Sequence, residues 1–262
     1  MLDSLFDLPL VLAGAVIIGS LCLFTLGGLA VFARYVLPRL KLGPEDSTFT
    51  SAIMQAVMVF YGLAVALIAV SVWQTYTDAG RTISEEATAV GVLYRDVSGY
   101  PEPTRSQLQR HLREYLEYVI HEAWPLQQRG QIPTGGVEHI NRFQALLLSF
   151  EPTTEGQKLL HQEVLRAYNQ MIEARRLRLD VVLTGLPGIL WCVIVIGALV
   201  SLSSSFFFHV EDPALQKIQL VLLSIFIGLL IFMIFALDRP FRGDLGLPPD
   251  PYQLIYDQLM KP

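Results

Sequence analysis

Residues 47–77 read STFTSAIMQAVMVFYGLAVALIAVSVWQTYT. No Asp, Glu, Lys or Arg interrupts the run, and a hydrocarbon layer about 30 Å thick needs roughly 20 apolar helical residues to cross it. Three further stretches meet the same test: Leu8 to Ala33, Val181 to Phe208 and Ile218 to Leu237. The pattern predicts an all-α fold, a four-span transmembrane helical protein with a helical cytosolic layer. Residues 1–77 form a first hairpin with spans at about 8–33 and 49–77, and 78–180 a helical cytosolic region. Residues 181–237 form a second hairpin with spans at about 181–208 and 218–237, and 238–262 a cytosolic tail.

Composition agrees. Hydrophobic residues make up 52% of the chain and charged ones 16%, and the charges are crowded between the apolar stretches. The net charge of −5 comes without a basic stripe, so no nucleic-acid partner is expected. The leader before the first stretch carries Asp3 and Asp7 and no Lys or Arg, and its apolar run exceeds signal-peptide length, which predicts a retained span. Cys22 and Cys192, the only cysteines, lie in apolar stretches and imply no disulfide framework. Near the membrane, Arg81, Arg175, Arg176, Arg178, Arg239 and Arg242 stand on one side and Arg34, Arg39, Lys41 and Lys217 on the other. That bias predicts a multi-pass inner-membrane protein with cytoplasmic N- and C-termini.

Between the hairpins the sequence reads as helix after helix. Ile83, Ala87, Val90, Leu93 and Val97 recur at helical spacing straight after the second span, which is expected to run on as one long helix. Gly99, Pro101 and Pro103 break it. Thr104 is the expected cap of a helix striped by Leu108, Leu112, Tyr115, Leu116 and Val119 and ended by Pro125. A loop from Gln127 to Gly136 precedes a short helix from about Val137 to Ser149, carrying Ile140, Phe143 and Leu147. Thr153 or Thr154 caps a last helix with Leu160, Val164, Tyr168 and Ile172 on one face, expected to continue unbroken into the third span. Pro187, between Gly185 and Gly188, falls about one and a half turns into that span and predicts a kink or a broken helix.

Catalytic signatures are missing: there is no Walker loop, HExxH, CxxC or nucleophile elbow. His111, His121, His139, His161 and His209 are scattered singly, without metal-ligand spacing. No metal site and no cofactor is expected, and an enzyme is disfavoured. Glu85 and Glu86 read as a solvated helix face, with an ion-attracting ring as the alternative. In the second span Gln55, Val59, Gly62, Ala66, Ala69 and Trp73 recur at spacings of four, three, four, three and four. That seam suits close packing between helices, and it equally suits a symmetric pore with Gln55 and Trp73 at its ends.

Several of these features coincide with a known family. The two-plus-two layout, Trp73, the Ser84-Glu85-Glu86-Ala87 segment, Pro187 with Trp191, and the Asp238-Arg239-Pro240-Phe241-Arg242-Gly243 exit from the last span together resemble the bestrophin-like family of bacterial membrane proteins, from about Ser51 onward. That family is similar to the bestrophins, homopentameric anion channels whose second helix lines the pore. The resemblance implies an oligomeric channel, first guessed as a pentamer, that passes small inorganic ions such as chloride across the lipid bilayer. It also implies a cytosolic turn at Asp238, Pro240, Phe241 and Gly243. Bestrophins carry a Pro-Phe-Gly turn beside an acidic calcium-binding run; here Arg242 is inserted and Asp238, Asp244 and Asp250 are spaced singly. From another class, the alternative is a non-conducting scaffold or sensor whose cytosolic helices bind a partner.

Overall fold

The computed structural model of the chain describes Phe6 and residues 8–39, 44–207 and 212–261. Asp3, Asp7, Lys41, Phe208 and His209, named above, lie outside these. Every described element is helical: α1 Leu10–Val31, α2 Pro44–Asp96, α3 Thr104–Tyr118, α4 Trp124–Gln128, α5 Gly136–Leu148, α6 Glu155–Val181, α7 Gly188–Ser204, α8 Pro213–Leu237 and α9 Asp250–Ile255. Four of the helices are long and apolar enough to cross a membrane. The chain divides into two compact units, one of residues 1–74 with 185–238, the other of 75–184 with 239–262.

In the first unit α1 lies along α8 because small residues let the two backbones approach. A Cβ on Gly14 would stand 3.1 Å from the Phe232 ring, and one on Gly228 3.2 Å from the Ile18 Cα. Phe6 stacks on Phe235 with ring centroids 4.3 Å apart. Ser224 Oγ donates to Thr25 Oγ1 at 2.7 Å, so hydroxyls buried between the helices satisfy each other. Val65 and Val72 of α2 are buried with Trp191, Ile194, Ala198 and Leu202 of α7. Tyr61 Oη donates to the Ile194 carbonyl at 3.1 Å.

The second unit has a core drawn from the apolar stripes read in the sequence. Ile83, Ala87, Val90, Leu93 and Val97 are buried with Leu108, Leu112, Tyr115, Leu116, Val119, Phe143, Leu147, Val164 and Tyr168. Helix α6 opens on a capping box, with Thr154 Oγ1 accepting from the Gln157 amide at 3.2 Å and the Gln157 side chain accepting from the Thr154 amide at 3.3 Å, as the Thr-x-x-Gln spacing predicts. Gly91 has no side chain to obstruct Ile255 and Leu259, so the tail packs directly on α2.

Three local expectations are overturned. Thr104 is the first residue of α3 and not its cap. Instead the Glu102 carboxylate accepts from the Ser106 amide at 3.2 Å and the Ser106 hydroxyl at 2.6 Å, a longer side chain serving an N-terminus from outside it. Pro125 does not end the following helix. A π-turn at Val119–Ala123 places Pro125 in the first turn of α4, where a missing N–H costs little. Finally, α6 does not run into the third span. It stops at Val181, and α7 starts at Gly188, because the residue before a proline avoids helical torsions and Pro187 itself supplies no donor. Pro187 therefore precedes the span as the residue flanking its first turn. Helix α2, by contrast, does continue unbroken from Pro44 to Asp96.

Candidate functional sites: an uncovered span, a carboxylate at a helix break and a buried ion pair

Within the first unit the apolar window of α2 is only 6% buried, against 44% for each of α7 and α8. Val65 and Val72 face the unit's own core. Gln55, Val59, Gly62, Ala66 and Trp73 are exposed and Ala69 is partly buried, as a helix turning 100° per residue dictates for two faces offset from each other. A Cβ on Gly62 would meet nothing within 4 Å. The seam residues Gln55, Val59, Gly62 and Ala66 are thus exposed on their own chain.

At the break before α7 the sequence motifs meet. The Asp238 carboxylate, at the end of α8 and buried, accepts from the Leu186 amide at 2.5 Å and from the Trp191 indole Nε1 at 3.3 Å. Buried backbone outside a helix needs a partner, and Asp238 gives one to the segment that ends at Pro187. Replacing Asp238 with Ala leaves both donors orphaned and is expected to lower stability by about 2–4 kcal/mol. Hydrogen exchange at residues 182–191 should rise with it; unchanged protection there would refute the pinning role.

In the second unit the exit turn is a packing device. Phe241 is buried with its ring centroid 5.3 Å from that of Trp124, and Trp124 Nε1 donates to the Leu247 carbonyl at 3.1 Å. The Leu247 amide donates back to the Pro240 carbonyl at 2.8 Å. Gly243 has φ +73°, a left-handed torsion that costs glycine least.

The feature that sequence reading misses is Glu86. Glu85 is exposed as expected, but Glu86 is fully buried, which overturns its assignment to a solvated face. Its Oε2 accepts from Arg178 Nε at 2.5 Å and Tyr252 Oη at 3.0 Å. Its Oε1 accepts from Tyr115 Oη at 2.6 Å and Arg178 Nη2 at 3.3 Å. Two oxygens offer about four lone-pair directions, so this carboxylate is saturated, and α2, α3, α6 and α9 are tied at one point. The Arg178 guanidinium also lies 5.9 Å from the Trp124 ring centroid and 5.7 Å from that of Tyr252. Burial works against its charge, yet Glu86 beside it holds its pKa well above the ordinary arginine value. Burial, and then the Glu86 charge, push both tyrosines up, so their hydroxyls stay protonated donors. Glu86 stands at the apolar register of Ile83, Ala87 and Val90, and a charge in that stripe was the available signal.

Among the described residues no group of three or more His, Cys, Asp or Glu is placed to hold a metal ion. His111 meets Glu114 at 3.1 Å, and the Tyr100 hydroxyl lies 2.7 Å from His161 Nδ1.

A core of apolar crossing helices with an irregular segment pinned by a carboxylate defines an α-helical membrane protein of the multi-pass kind. The chain matches the Bestrophin-like domain over residues 19–252 and belongs to that family. Comparison with curated proteins and with solved structures gives no match.

Proposed function

We propose that the chain assembles into a closed homo-oligomer, a pentamer, whose copies of α2 surround an axial path for small inorganic ions, anions such as chloride first. The family suggests an ion channel, and the observation that carries the reading is the 6% burial of the α2 window. Lipid can cover so apolar a helix, but in the seam of Gln55, Val59, Gly62, Ala66, Ala69 and Trp73 the small residues Gly62, Ala66 and Ala69 suit close approach to like helices. No charged residue lies along it, so the gate is apolar and closes by dewetting. Four spans per subunit leave no room for a hydrated path within one copy, which makes the ring a requirement.

Mass measurement in mild detergent should give a closed ring of five, and liposomes holding that ring should release chloride and nitrate faster than potassium. A stable monomer, or a ring that releases no ion, would overturn the reading in favour of a scaffold. The proposed orientation puts the second unit and both termini in the cytoplasm. In a background without Cys22 and Cys192, Gln131→Cys should resist a membrane-impermeant thiol reagent in intact cells and Ala214→Cys should react. The opposite pattern would invert the topology.

A further inference from the structure

A groove of 540 Å³ opens on the first unit between the C-terminal part of α1 and the end of α7, within the roughly 300–1,000 Å³ of ordinary ligand clefts. Its walls are Leu23, Gly27, Val31, Val36, Phe206 and Phe207. Two adjacent glycines shape it differently. A Cβ on Gly28 would stand 2.8 Å from the Phe206 ring, whereas one on Gly27 would meet nothing within 4 Å. Gly28 therefore admits the Phe206 ring against the helix, and Gly27 leaves the groove floor open.

The chain that leaves the groove is basic. After α1 the chain turns through a π-helical segment, Phe32–Val36, and a 3₁₀ turn, Leu37–Arg39. Groove-lining Val36 stands two residues after Arg34 and three before Arg39, so both arginines flank the groove wall along the chain. Arg39 Nη1 donates to the Tyr35 carbonyl at 3.1 Å, and the Arg34 guanidinium lies 5.9 Å from the Tyr35 ring centroid. Both arginines are exposed, and among the described residues neither meets a carboxylate. An apolar trough on a helix long and apolar enough to cross a membrane, flanked along the chain by two exposed guanidiniums, matches a ligand in which a hydrocarbon chain is joined to an anion.

We propose that this groove binds an anionic phospholipid, one acyl chain along Leu23, Gly27 and Val31 and the phosphate held by Arg34 and Arg39. Guanidinium geometry suits phosphate oxygens. The site stands independently of whether the protein conducts ions.

Native mass spectrometry of the full-length protein, titrated with phosphatidylglycerol or phosphatidylcholine bearing identical palmitoyl and oleoyl chains, tests it. The wild type should retain phosphatidylglycerol on the order of tenfold more tightly. Joint Arg34→Gln and Arg39→Gln should erase that preference and leave phosphatidylcholine retention unchanged. Gly27→Phe should weaken both lipids alike, and Gly27→Leu, the milder filling, should do so to a smaller extent if the Phe variant fails to fold. Val11→Phe, at a position on α1 that is 81% exposed and outside the groove, should change neither. Equal retention of the two lipids by the wild type would mean annular lipid only and overturn the proposal. Displacement by soluble glycerol 3-phosphate would reduce it to a headgroup contact without a chain site. A Gly27→Phe protein with altered subunit number and unaltered lipid retention would make the groove an interface between copies.

Discussion

Replacing Arg178 with Met should destabilise the protein by about 3–5 kcal/mol, because it strands the Glu86 carboxylate in a fully buried position with only two tyrosine hydroxyls for company. For a chain of this size that is a drop in midpoint temperature on the order of 10 °C. Thermal unfolding of the full-length protein in mild detergent would measure it. Hydrogen exchange should rise most in residues 250–260, since the Tyr252 ring loses the Arg178 guanidinium 5.7 Å from its centroid and its hydroxyl bonds a carboxylate left without its counter-charge. The joint change Glu86→Met with Arg178→Met should cost less than Arg178→Met alone, since no charge is left without its counterpart; the two hydroxyls that lose their acceptor keep it from being neutral. An Arg178→Met protein that melts with the wild type would show that the pair is incidental to stability.

The second large effect belongs to the proposed path. Ala66→Phe would set one aromatic ring from every subunit into a single layer and should abolish ion release from liposomes while the oligomer still forms. Val65, its neighbour, is 2% exposed and packs into its own unit's core. Val65→Phe should therefore act by overpacking, at about 1–3 kcal/mol, and reduce flux only as far as it reduces assembly. Flux normalised to assembled oligomer separates the two. Undiminished release through correctly assembled Ala66→Phe would place the path elsewhere and leave Gly62 and Ala66 as packing residues.

Much of the fold could be read from the chain because its dominant signals are local. The apolar stripe from Ile83 to Val97 and a cap at Thr153 or Thr154 are local matters, and the structure buries the stripe and takes Thr154 as the cap. The misread points depend on partners distant in sequence. Glu86 looked solvated because its position beside Glu85 says nothing of Arg178, Tyr115 and Tyr252, which approach only after α3, α6 and α9 have packed. Pro125 looked like a terminator because a π-turn upstream, which moves it to a helix start, has no distinct composition. The break before α7 was half visible in Pro187, but its acceptor, Asp238, is 52 residues away from Leu186. The seam from Gln55 to Trp73 is legible as a face, and the exposure of Gln55, Val59, Gly62 and Ala66 is a property that only three-dimensional packing supplies.

The four groups gathered at Glu86 are made at very different times. Ribosomal synthesis delivers Glu86 first, then Tyr115 and Arg178, and Tyr252 only after the last span has left the ribosome. Until that final residue arrives, the carboxylate lacks one of its donors and Gly91 is bare of Ile255 and Leu259. The contacts that complete this core are thereby left to the segment made last among them. A chain whose tail has not yet docked differs from a finished one in exposed apolar surface, the kind of surface that makes incompletely folded species prone to aggregate.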